Sequence, residues 1–166
     1  ATLACATEAL KGDCLIAYGD ILFRRYIMDQ LLAAEGDIVL VVDALWRERD
    51  PDPKSRLRDL VACSTQFVTG YLDSGPVLAK QLGPDIPELE IGGEWIGLAK
   101  VSEAGADVLR SEIEGLRQGG DLAGAGLCDL FNRLIARGQE VRVLYVTGHW
   151  LDVDNQTDLE EARSFL

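Results

Sequence analysis

The chain has 166 residues, 48% of them hydrophobic, enough to bury a core as one domain without disulfide staples. A net charge of −12 with scattered basic residues excludes a stripe that could track a nucleic-acid backbone. Cys5, Cys14, Cys63 and Cys128 lack the paired spacing of zinc or redox motifs and read as buried free thiols.

No signal-peptide pattern, lipidation motif or run of about 18 apolar residues is visible, so the expectation is a cytoplasmic protein with no membrane partner. The opening, "ATLACATEAL", reads as a helix from Ala4 to Leu10 entered in mid-course. With Ala1 in place of a methionine, a fragment or cleaved chain is expected.

Lys11-Gly12-Asp13 then makes a turn before the apolar run Cys14 to Tyr18, read as a buried strand with Gly19 and Asp20 at its carboxyl end. From Ile21 to Ala34 apolar residues recur at helical spacing, with Gly36 as the C-cap. "DIVLVVDAL", Asp37 to Leu45, is a strand covered on both faces, and strand, helix and strand together form a parallel, right-handed βαβ unit. Arg47 to Asp59 is charged and proline-containing, an exposed loop or lid.

"LVACSTQF" gives a further strand and Tyr71 to Gly93 a set of turns with short strands. Gly93 to Ser102 is another strand, followed by helices over Glu103 to Arg117 and Leu122 to Arg137, punctuated by Gly119-Gly120 and Gly138. Glu140 to Val153 alternates and kinks at Gly148. The last helix starts with Thr157 as N-cap and Glu160 in the capping-box position. No internal repeat interrupts a single domain over residues 1–166.

Ligands of open α/β sheets bind outside the carboxyl ends of strands. Asp20 and the pair Asp152 and Asp154 fall at two such ends. If these strands are neighbours, the carboxylates face one crevice and form an oxygen site suited to Mg²⁺ beside a phosphate. Taken singly, each aspartate serves equally well to solvate a strand end or cap the next helix.

His149 is a general base, a contact for a phosphate or phosphonate oxygen, or a packed strand-end residue. Trp95 and Trp150 are core or wall, or else faces for an ammonium-bearing substrate. Arg24, Arg25 and Lys100 can each approach an anion or point into solvent. No P-loop, G-x-G-x-x-G, serine elbow or H-E-x-x-H is present.

"YGDILFRRYI", "GEWIGLAKVS" and "VLYVTGHWLDVDNQTDLEEA", in this order, resemble the nucleotidyltransferase family of sugar-phosphate and phosphocholine cytidylyltransferases. They are most similar to the domain for 2-aminoethylphosphonate found in phosphonate biosynthesis, often fused to phosphoenolpyruvate mutase. The resemblance implies a Rossmann-like three-layer α/β/α nucleotide-diphospho-sugar-transferase fold with a mostly parallel mixed sheet, truncated at the N-terminus. It implies transfer of CMP from CTP to a phosphonate or phosphate acceptor, with release of pyrophosphate and Mg²⁺ as cofactor.

By the same resemblance Asp20 and Asp154 are the catalytic, metal-binding aspartates, with Asp152 the alternative second ligand. Glu94, Trp95, His149 and Arg24 fall to the substrate. A homodimer or a fused mutase domain is the implied partner. One departure stands out: the glycine-rich L-A-A-G-x-G-x-R loop that holds the triphosphate in the family does not occur in the sequence. That leaves a sugar-1-phosphate nucleotidylyltransferase and a non-catalytic interaction module as the alternatives.

Overall fold

A computed structural model describes residues 2–49, 58–69 and 75–165. In chain order its elements are α1 (Thr2–Cys5), β1 (Cys14–Ala17), β2 (Ile21–Phe23), α2 (Arg25–Ala33), β3 (Ile38–Asp43) and α3 (Trp46–Arg49). There follow β4 (Leu60–Cys63), β5 (Ala79–Leu82), β6 (Ile91–Val101), α4 (Glu103–Gly119), α5 (Leu127–Ala136), β7 (Arg142–Val146), β8 (Trp150–Asp152) and α6 (Gln156–Phe165).

The β-branched run of β3 is buried along its whole length, as a strand covered on both faces must be. Because side chains alternate across a strand, Ile38, Leu40 and Val42 enter one core and Val39 and Val41 another. The first core packs against α4 and α5 through Leu109, Ile113, Phe131 and Leu134; the second packs against α2 through Ile27 and Leu31. The result is three layers, helix on sheet on helix.

The main sheet runs β5-β4-β6-β3-β7, and β1 also pairs with β6. Along one edge β6 meets β3; along the other, its first half meets β4 and its second half β1. β1, β3, β4 and β7 point one way, β5 and β6 the other, and β3 with β7 is a directly parallel pair. The expected βαβ unit is therefore open: β1 and β3 are co-directional, but antiparallel β6 lies between them.

The ladder between β3 and β6 shifts register between Leu40 and Val42. In that interval Gly97 adopts φ +77°, where the Tyr18 ring occupies the space a β-carbon would need.

Several local expectations are corrected. Ile21 to Phe23 form a strand, not the first turn of a helix, because they pair with β8. Helix α2 ends on Ala34 in extended conformation, not on a Gly36 cap; the Lys100 ammonium instead hydrogen-bonds the Ala34 carbonyl and lies 3.4 Å from that of Leu32. The second long helix starts at Leu127, where the Asp129 carboxylate accepts the Gly126 amide (2.8 Å). The opening segment is the single turn α1 and a 3₁₀ turn over Thr7–Ala9, not one helix.

β1 is accessible on most of its length, with Leu15 45% exposed. Of the proposed loop or lid, residues 50–57 lie outside the described ones; Trp46–Arg49 is helical and Arg58 is buried. All four cysteines are free, but only Cys63 is buried and Cys5 is exposed. Among the described residues no helix is long and apolar enough to cross a membrane.

Candidate functional site

Tyr18 ends the first strand run and Gly19-Asp20 turn the chain into β2, which leaves the main sheet and pairs antiparallel with β8. In this two-stranded ribbon Ile21 stands opposite Asp152 and Phe23 opposite Trp150. The Val153 amide donates to the Asp20 carbonyl (2.9 Å), extending the ladder by one step. This pairing brings the two acidic segments, more than 130 positions apart, to one end of the ribbon.

There Asp20, Asp152 and Asp154 each offer an oxygen within 4.8 Å of the others. Asp20 and Asp154 are exposed and Asp152 is half-buried. Three carboxylates without a nitrogen or sulfur ligand make a hard, oxygen-only donor set, which fits Mg²⁺ and not Zn²⁺.

The helix that follows does not use Asp154 as its cap. Asn155 Oδ1 accepts the amides of Thr157 (2.8 Å) and Asp158 (3.2 Å), and Asp158 Oδ2 accepts those of Asp154 (2.9 Å) and Asn155 (3.1 Å). The capping box is thus Asn155 with Asp158, two residues ahead of the expected Thr157 and Glu160. Asp158 fixes the backbone of Asp154, leaving its carboxylate to face the other acids.

His149 and Arg24 sit at the opposite end of the ribbon, joined by a bond from the Arg24 amide to the His149 carbonyl (3.0 Å). Three steps along the chain separate His149 from Asp152, about 10 Å if extended. His149 holds a left-handed backbone (φ 62°), its Nδ1 lies 2.8 Å from the Tyr26 hydroxyl, and the two rings meet edge to face. Burial pushes the Tyr26 phenol up, with the Asp43 carboxylate adding to it. The Arg24 guanidinium lies over the Phe165 ring (4.9 Å). The structure brings Asp20, Asp152 and Asp154 together but leaves His149 and Arg24 apart from them.

Glu94 and Trp95 are in the core. Glu94 forms a buried ion pair with Arg58 at 2.7 Å. Trp95, 2% exposed, donates its indole N–H to the Leu98 carbonyl (3.0 Å) and packs against Tyr18 and Phe131. Arg25 forms an exposed pair with Asp29.

Two polar centres escaped the sequence reading. Asp43, fully buried, accepts the amides of Leu45 and Gly148 (both 3.0 Å) on Oδ1 and the Trp150 indole N–H (2.9 Å) on Oδ2. An acid closing an otherwise apolar run was the available signal. Asp59 accepts the Tyr18 hydroxyl (2.7 Å) and the Cys128 thiol (3.2 Å); burial first, then this carboxylate, push both groups far up. Beside them an apolar cavity of about 720 Å³ opens along β1, bounded by Leu10, Ile16, Tyr18, Leu116 and Leu130.

No protein-family model matches the sequence. The chain is 26% identical over 168 residues to the CTP:phosphoglutamine cytidylyltransferase of Campylobacter jejuni, an alignment that spans 95% of this chain and 61% of that protein. Its fold superposes on the inositol-1-phosphate CTP transferase of T. maritima with a TM-score of 0.68 at 16% identity, covering 99% of this chain and 59% of the other. The CTP:phosphocholine cytidylyltransferase of Streptococcus pneumoniae gives a TM-score of 0.54 at 13% identity, covering 98% and 61%. The chain therefore spans about three fifths of the length of these relatives. Its fold is that of the nucleotide-diphospho-sugar transferases.

Proposed function

We propose that this chain is the acceptor and metal-binding part of a cytidylyltransferase that joins CMP from CTP to a small phosphonate or phosphate, 2-aminoethylphosphonate first among them. The observation that carries this reading is the convergence of Asp20, Asp152 and Asp154 within 4.8 Å across a ribbon whose strands come from opposite ends of the sequence. Asp20 and Asp154 are the principal ligands, since both are exposed on opposite sides of the ladder, and Asp152 supports them.

Asp20 and Asp154, with Asp152, would hold Mg²⁺, which when bound would supply neutralisation of the triphosphate charge. The chain's own part is positional. An acceptor oxygen bonds to the α-phosphorus of CTP, the bond from that phosphorus to the bridging oxygen breaks, and the electron pair leaves with pyrophosphate. A phosphonate or phosphate dianion needs no general base for this attack, which suits the placement of His149 away from the acids.

The test is pyrophosphate release by the intact protein that carries this sequence, with CTP, Mg²⁺ and one acceptor in turn: 2-aminoethylphosphonate, phosphoglutamine, phosphocholine or a sugar 1-phosphate. Release with a single acceptor class, abolished in Asp20→Ala and Asp154→Ala, supports the reading. Full activity in both variants refutes the metal assignment. A second reading, a non-catalytic module that pairs through β1, is favoured by the exposed Leu15 and the apolar cavity along that strand. Absence of Mg²⁺ and CTP binding by calorimetry, with self-association on gel filtration, would select it.

A further inference from the structure

The ribbon that carries the acids is attached to the main sheet near one buried group. Val146 ends β7 opposite Asp43 of β3, and the chain then turns through Gly148 and His149, both in left-handed conformation, into β8. At this branch point the Asp43 carboxylate takes the Gly148 amide on one oxygen and the Trp150 indole on the other. Trp150 is 4% exposed, packs in the α2-side core, and stands two residues before Asp152 and four before Asp154. A buried carboxylate accepting three N–H donors is rigid, because each lost bond would leave a desolvated group.

We infer that Asp43 is a positioning residue for the acid cluster: it sets the angle at which β8 leaves the sheet, and so the distance between Asp20 on one strand and Asp152 and Asp154 on the other. The inference rests on the metal-site reading for its functional meaning, but its structural core is independent of any ion. Asp43→Asn keeps the volume and presents at best one acceptor oxygen, so either Gly148 or Trp150 loses its partner. Trp150→Phe removes one of the same bonds from the other side and keeps an aromatic ring in place.

The experiment compares wild type, Asp43→Asn, Trp150→Phe and, as a control for buried charge elsewhere, Glu112→Gln, which loosens the ion pairs to Arg133 on α5 and Arg137 at its C-cap. Amide hydrogen exchange is followed at Val153 and Arg24, whose N–H groups close the ribbon, and at Leu40 and Ala99 in the main sheet. Mn²⁺ affinity of each protein is measured by titration with the ion alone.

Asp43→Asn and Trp150→Phe are expected to speed ribbon exchange by about tenfold more than sheet exchange and to weaken Mn²⁺ binding by about tenfold. Glu112→Gln is expected to do neither selectively. Ribbon exchange that rises no more than sheet exchange overturns the inference, whether or not the ion binds. Unchanged Mn²⁺ affinity in both variants, when Asp20→Asn abolishes binding, overturns it as well. If Asp20→Asn leaves Mn²⁺ binding intact, the metal-site reading falls instead, and the exchange comparison still decides the role of Asp43.

Discussion

Asp20 and Asp154 stand either side of a single backbone hydrogen bond, from the Val153 amide to the Asp20 carbonyl, so the strand pairing itself sets their separation. With Asp152 half-buried beside them, three like charges share a space of 4.8 Å. Such a cluster repels itself, and a divalent cation held between the carboxylates would relieve that repulsion.

Stability should therefore depend on divalent ions. At an Mg²⁺ concentration of 100 times its Kd, binding adds about 2.7 kcal/mol to stability, which is about 5–10 °C in Tm for a chain of this size. Asp20→Asn or Asp154→Asn should abolish that rise, and in chelator should melt at or slightly above the wild-type temperature, since one repulsive charge is gone. Thermal melts with and without Mg²⁺ check both. A variant that loses stability in chelator would show the carboxylate to be structural.

Glu94 should behave as a core residue. Its carboxylate and the Arg58 guanidinium are both at least 95% buried, so Glu94→Gln leaves a desolvated cation and should cost about 3–5 kcal/mol in chemical denaturation. Replacing both, Glu94→Leu with Arg58→Met, should recover most of it. At a temperature where Glu94→Gln is folded, its KM for the acceptor should match wild type; a tenfold rise without a drop in Tm would place Glu94 at the acceptor instead.

Two glycines should respond with opposite signs. A β-carbon on Gly97 would lie 2.3 Å from the Tyr18 ring, on a backbone at φ +77°, so Gly97→Ala should destabilise by about 2–3 kcal/mol. Gly115, exposed in the middle of α4 with open space around it, should gain about 0.5–1 kcal/mol on conversion to Ala. Urea midpoints of the two variants, at constant m-value, are the measurement.

Alkaline pH should destabilise the folded protein. Burial raises Tyr18, Cys128, Tyr145 and Cys63, so the folded state keeps protons that the unfolded chain releases near pH 8.5 for thiols and pH 10 for phenols. Their contribution is fully present below about pH 8 and falls as pH rises, by about 1.4 kcal/mol per pH unit for each group ionised only in the unfolded chain. Cys128→Ala should flatten the fall between pH 8.5 and 10. A denaturation series from pH 7 to 11 reads the slope directly.

Much of the fold and the acid cluster was legible because local chemistry carried it. The apolar run of β3 admits only a strand covered on both faces, and Ser102 caps α4, its Oγ accepting the Gly105 amide at 3.2 Å. Asp20, Asp152 and Asp154 were visible as acids following apolar runs, and pairing between β2 and β8 makes them one site.

What was misread depends on contacts far apart in sequence. Ile21 and Phe23 fit either period over so short a stretch, and only β8 decides for a strand. Asn155 and Thr157 are both good caps; the choice follows from where β8 ends. The burial of Glu94 was not legible either, because nothing nearby announces Arg58, 36 positions earlier, as its ion-pair partner.

The central place of β6 also orders the birth of the fold. β1 and β3 precede it by more than 45 residues, and β1 finds its described strand partner, like β3 its first, only in β6. During synthesis these apolar segments must wait on the ribosome with open edges until residue 101 has emerged, a window in which chaperones have more to cover than in a fold built from neighbouring hairpins. The strand that unites the finished sheet is thus also the reason these segments of the nascent chain are vulnerable until β6 is made.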